Sequence, residues 1–123
     1  MPFAMTQNST VTIYHNPRCS KSRQALKLLV DHGANPTVIE YLKQPLNEQV
    51  LRDLIKKLGI SAIDLVRKNE ALYKELGLAQ RRSDTKATIM AMAQYPILIE
   101  RPIVVKGAKA RIGRPPEAVL EIL

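Results

Sequence analysis

Two short β-branched runs bracket a helical pattern near the start of this chain, and that order constrains its fold more than any other stretch. Thr10 to Tyr14 reads as a strand. Ser20 to about His32 reads as a helix, with apolar Ala25, Leu26, Leu28 and Leu29 and a stop at Gly33. Asn35-Pro36 breaks the chain before Thr37-Val38-Ile39-Glu40-Tyr41, a second strand. Strand, helix and strand in close succession predict a βαβ unit, with parallel strands and a right-handed crossover.

Beyond Tyr41 the pattern turns helical. Asn47 caps a helix with apolar Val50, Leu51, Leu54, Ile55 and Leu58, ended by Gly59. Leu65 to Leu76 reads as helical in one or two pieces, stopped by Gly77, and Asp84 caps a helix over Thr85 to Gln94. Pro102 precedes a strand Ile103-Val104-Val105, which Gly107-Ala108 turns into a hairpin partner near Ala110 to Ile112. Pro115-Pro116 opens a final helix with Val119, Leu120 and Leu123 apolar. The order predicts an α/β fold of thioredoxin-like topology. It comprises βαβ, a β-hairpin and a C-terminal helix around a four-stranded mixed sheet, with a helical insertion after strand 2. At 123 residues there is material for one core. Residues 1–9, polar and aperiodic, are expected to be disordered or loosely ordered, and residues 10–123 to form a single domain.

The only cysteine, Cys19, falls at the joint between the first strand and the first helix. A thiol there faces the unpaired N–H groups of a helix start, where the macrodipole favours an anion. Arg18, Lys21 and Arg23 add positive charge around it. These influences favour the thiolate, the nucleophilic form. Ser22 makes a Cys-x-x-Ser pattern, so its hydroxyl can donate to the sulfur from the next turn. A lone cysteine is more often a small buried hydrophobe, but neighbours this polar do not describe a core position.

Composition narrows the rest. One cysteine forms no internal disulfide, no Cys/His cluster offers metal-ligand spacing, and no run approaches the roughly 20 apolar residues of a membrane span. A reducing cytoplasm is the expected location. The net charge of +8 suggests an anionic partner, yet one Phe and no Trp leave little for stacking on bases. A small oxyanion gripped by converging arginines suits this chain better than nucleic acid.

The string His15-Asn16-Pro17-x-Cys19-x-x-Ser22-Arg23 resembles the active-site motif of the glutaredoxin-linked arsenate reductases, and the likeness runs from about Val11 to Leu123. It includes Leu65-Val66-Arg67-Lys68-Asn69, the run from Pro96 through Arg101-Pro102 to Val104, and Arg111-Ile112-Gly113-Arg114-Pro115. The resemblance implies that residues 10–123 are one thioredoxin-like arsenate reductase domain. It implies that Cys19 attacks arsenic, and that Arg67, Arg101 and Arg114 stabilise the thiolate and hold the oxyanion. His15, Ser22 and Arg23 support the site, and Pro102 is the candidate for the cis-proline that such folds place opposite the reactive thiol. The implied reaction binds no cofactor or metal and uses glutathione as co-substrate and glutaredoxin as partner, with a monomer as the default state. Some members carry a longer C-terminal tail, whose lack would affect rate rather than chemistry.

Physical chemistry agrees independently. Forked guanidinium groups match the paired oxygens of arsenate better than a lysine does. Reduction of As(V) to As(III) takes two electrons, so a chain with one thiol needs a second sulfur from outside. Taken alone, each arginine is an ordinary surface charge. Four other readings compete. Cys19 and Arg23 stand too close together for the phosphate loop of a tyrosine-phosphatase-like reductase. A Spx-type redox regulator, which is not an enzyme, would carry Cys-x-x-Cys and lack the arginine set; an orphan relative with another thiol-dependent role stands beside it as the alternative. A monothiol glutaredoxin would not need Arg67, Arg101 and Arg114 together.

Overall fold

Four strands form one mixed sheet in the computed structural model, which describes residues 10–123; the expectation for residues 1–9 lies outside the described residues. The strands β1 (Val11–Tyr14), β2 (Thr37–Ile39), β3 (Ile103–Lys106) and β4 (Lys109–Ile112) lie in the order β2-β1-β3-β4. β1 and β2 are parallel, joined through helix α1 (Ser20–Asp31), whereas β3 pairs antiparallel with both β1 and β4. The thioredoxin-like order read from the sequence is therefore the order observed. The hairpin turns in two residues because Gly107 takes φ 61°, a left-handed conformation that twists the flanking strands correctly.

The chain divides into two units, one built from the chain up to Glu40 with Arg101–Leu123, the other from Tyr41–Glu100. In the first, Val11 and Ile13 alternate inward from β1, and Ala25 and Leu29 face them one helical turn apart on α1. Val104 of β3 and Val119 and Ile122 of the C-terminal segment complete the core. That segment, Pro116–Ile122, is a 3₁₀ helix, not the α-helix whose apolar face would be Val119, Leu120 and Leu123. Its three-residue repeat buries Pro116, Val119 and Ile122 instead.

The second unit is the helical insertion. It holds α2 (Glu48–Leu58), α3 (Ala71–Glu75) and α4 (Thr85–Gln94), with 3₁₀ turns at Ala62–Leu65, Leu78–Arg81 and Pro96–Leu98. Asn47 Oδ1 accepts the Val50 N–H at 2.9 Å and Asp84 Oδ1 accepts the Ala87 N–H at 3.0 Å, so both predicted caps close their helices. Leu51 and Leu54 of α2 and Ile89 and Met92 of α4 are buried where the two helices pack. Of the expected helix over Leu65 to Leu76, Ala71–Glu75 forms as α3, whereas residues 66–70 are not helical. Val66 instead pairs with Ile99, the Arg67 N–H donates to Leu98 O at 2.7 Å, and the Glu100 N–H donates to Leu65 O at 2.7 Å. A pairing partner distant in sequence overrides the local helical preference there.

Candidate active site

Strand pairing gathers three connections at one end of the sheet. Tyr14 stands opposite Ile39 and Ile103, and Ile103 stands opposite Ile112. The loop after Tyr14, the Arg101-Pro102 step before Ile103 and the Gly113-Arg114 step after Ile112 therefore leave the sheet side by side.

The first of these carries the thiol. The His15 N–H donates to Ile39 O at 2.8 Å and prolongs the β1–β2 ladder by one residue. Asn16 then folds the chain back: its Oδ1 accepts the Arg18 N–H and its main-chain oxygen accepts the Cys19 N–H, each at 3.0 Å. Arg23 Nη1 donates to Pro17 O at 2.9 Å and ties the loop to the helix it enters. Cys19 is thus delivered as the N-cap of α1, with extended backbone (φ −96°, ψ 123°), and its oxygen accepts the first helical hydrogen bond from the Arg23 N–H. The residue is 8% exposed, more buried than its polar neighbours suggest, yet it stands outside the apolar cluster of this unit. Arg18, Ser20 and Lys21 around it are exposed. Its side chain makes no cap hydrogen bond, and the first turn of α1 favours negative charge at this end.

His15 and Ser22 are both buried, at 6% and 0% exposure, and His15 Nδ1 lies 2.6 Å from Ser22 Oγ. Ser22 Oγ also accepts the Asn16 N–H at 3.0 Å. The Cys-x-x-Ser spacing allows this hydroxyl to donate to the sulfur. Among the described residues it bonds to His15 and Asn16, so its support reaches Cys19 through the loop. A neutral imidazole can accept the Ser22 proton at Nδ1 while Ser22 accepts from Asn16; a protonated ring would donate at both nitrogens and break that order.

Burial holds the His15 pKa below its ordinary 6.5, Glu40 opposes that shift and Arg23 adds to it. The unfolded chain thus takes up the proton first as the pH falls. The stability gained by keeping His15 neutral is full above 6.5 and is lost as the pH falls through the lower folded value. Thermal melts between about pH 7 and pH 5 should show the native chain losing stability, and His15→Asn should flatten that loss. An unchanged slope in the variant would show that His15 is not the group responsible.

Arg101 is buried at 9% exposure, an unusual place for a guanidinium. The Arg101–Pro102 peptide is cis, as is Arg114–Pro115. Arg114 is exposed, but its Nε donates to Arg101 O at 3.1 Å, which links the two arginine segments directly. Gly113 bridges the same pair of segments through its N–H, which donates to Pro102 O at 2.8 Å. Cys19, His15, Ser22, Arg23, Arg101, Pro102 and Arg114 thus share the first unit. Arg67 belongs to the second, where its guanidinium pairs with Glu70 at 2.8 Å. Among the described residues no group of three His, Cys, Asp or Glu could hold a metal ion, and no helix is long and apolar enough to cross a membrane.

Two contributors escaped the sequence reading. Asn16 organises the loop, and the Asn16-Pro17 pair was its available signal. Gly113 has no conformational signature, because its role is a close contact.

The ArsC family model matches residues 14–122 of the chain. An uncharacterized Escherichia coli (strain K12) protein, YfgD, is 57% identical over 114 residues, which span 92% of this chain and 96% of that protein. The arsenate reductase of the same strain is 48% identical over 115 residues, 94% of this chain and 82% of that protein. Among solved structures, the arsenate reductase from Vibrio cholerae superposes with a TM-score of 0.91 at 48% identity, covering 95% of this chain and 100% of that one.

Proposed function

The chain belongs to the ArsC family, and from that membership we propose that it is an arsenate reductase whose nucleophile is Cys19. One observation carries the reading. A single thiol at a helix N-terminus leaves the same end of the sheet as two mutually bonded arginine segments, one of them buried. Homologues named arsenate reductase at nearly half identity supply the substrate.

In the reaction, the Cys19 thiolate forms an S–As bond with arsenate and an arsenic oxygen leaves as water. Glutathione displaces a second oxygen, again as water, to give arsenic bridged by two sulfurs. A glutaredoxin thiolate then attacks the glutathione sulfur. A disulfide forms between them, and the As–S electron pair stays on arsenic, which becomes As(III). Water cleaves the remaining S–As bond, releasing arsenite and the Cys19 thiol. The two electrons come from the external thiol pair, as a chain with one cysteine requires. Arg101 and Arg114 hold the oxyanion oxygens, in a monomer acting in the cytoplasm.

The test is NADPH oxidation coupled through glutathione reductase, glutathione and glutaredoxin. Turnover that requires arsenate, glutathione and the protein together is the expected result. A folded protein that adds nothing to the background rate would remove arsenate as substrate and leave another thiol-dependent role.

A further inference from the structure

We propose that Gly113 is a positioning residue of the oxyanion site, its missing side chain setting where Arg101 and Arg114 stand. The inference rests on the proposed role of those arginines. Gly113 is buried, and its φ lies outside the left-handed region that only glycine enters freely. Its requirement is space. A Cβ at this position would lie 2.7 Å from Pro102 Cγ, 3.3 Å from Pro102 Cδ and 3.2 Å from Val119 Cγ1. Carbon atoms rest at about 3.5–4.0 Å, so roughly 1 Å would have to be found.

The two neighbours differ in what they can yield. Val119 is fully buried in the apolar core, where close packing resists displacement. The ring of Pro102 closes onto its own backbone nitrogen, so pushing the ring moves the main chain that carries Arg101. On its other side Gly113 is bonded to Arg114, whose Nε is held on Arg101 O at 3.1 Å. The Gly113 N–H, bonded to Pro102 O at 2.8 Å, keeps the two segments in contact. A methyl group here therefore acts as a wedge between both arginine segments. A displacement near 1 Å in groups that orient a substrate can cost about 100-fold.

The experiment compares kcat and KM for Gly113→Ala, Val119→Ala and Arg101→Ala with the native protein, at one temperature well below each melting point. Gly113→Ala is expected to raise the KM for arsenate by about 10- to 100-fold while the KM for glutathione stays native. Val119→Ala, which hollows the core and adds no atom between Gly113 and Pro102, is expected to lower the melting temperature and leave the arsenate KM unchanged. A native arsenate KM in folded Gly113→Ala, or an equal rise in Val119→Ala, would overturn the proposal. Should Gly113→Ala fail to fold, the pair Gly113→Ala with Val119→Ala relieves the core contact and is judged by the same KM. A raised KM for Arg101→Ala beside a native one for Gly113→Ala defeats this inference alone. A native KM for Arg101→Ala defeats the reading beneath it.

Discussion

Cys19→Ser should reduce arsenate-dependent turnover by at least about 10⁴-fold, to the background of the coupled assay, with no loss of stability. The two halves of that expectation come from one position. Cys19 is the N-cap of α1, and its side chain makes no cap hydrogen bond. Serine is among the preferred N-cap residues, because its oxygen can accept an N–H from the first turn. The substitution thus keeps size and backbone conformation while offering the helix a cap it lacks, so the melting temperature should hold or rise. What disappears is chemical. A serine hydroxyl is a far poorer nucleophile than a cysteine sulfur, and no second cysteine can take over the bond to arsenic. A well-folded Cys19→Ser protein with more than about 1% of native turnover would exclude the covalent step, whatever reduces arsenate in its presence.

The fold was legible wherever a local pattern and its tertiary use coincide. β-Branched runs beside Asn-Pro and Gly gave β1, β2 and the hairpin. Capping residues gave α2 and α4, whose starts at Glu48 and Thr85 follow directly from Asn47 and Asp84. Legibility failed where a distant partner decides. The run Leu65 to Leu76 has helical spacing, yet Val66 is extended because Ile99 pairs with it. Apolar residues near the C-terminus fit an α-helical face, but the 3₁₀ repeat at Pro116, Val119 and Ile122 is the one that meets Ala25 and Leu29.

The site divides in the same way. Cys19 could be placed from sequence because a strand-to-helix joint is a local feature. The partnership of Arg101 with Arg114 could not, since it depends on Ile103 pairing with Ile112 and on a main-chain oxygen accepting from a guanidinium. The spacing offers the Ser22 hydroxyl to the nearer sulfur, whereas the structure turns it toward His15, seven residues back along the chain.

Arg101→Ala should lower kcat/KM for arsenate by about 10²- to 10³-fold, the usual cost of removing one preorganised group that stabilises an oxyanion. The effect should exceed that of Arg114→Ala, because Arg101 is 9% exposed and Arg114 is open to solvent. Water screens an exposed charge, whereas a buried guanidinium acts on its anion through a medium of low effective dielectric. Arg114 is anchored to the main-chain oxygen of Arg101, so cutting back the Arg101 side chain leaves that anchor in place. Arg101→Lys restores the charge but not the fork, so it should recover only part of the lost kcat/KM. Steady-state kinetics over a range of arsenate concentrations would separate the cases. Full recovery by lysine would mean that charge alone is required at this position. Native kinetics in both variants would move the oxyanion site away from Arg101, and equal losses from Arg101→Ala and Arg114→Ala would show that burial does not rank the two arginines.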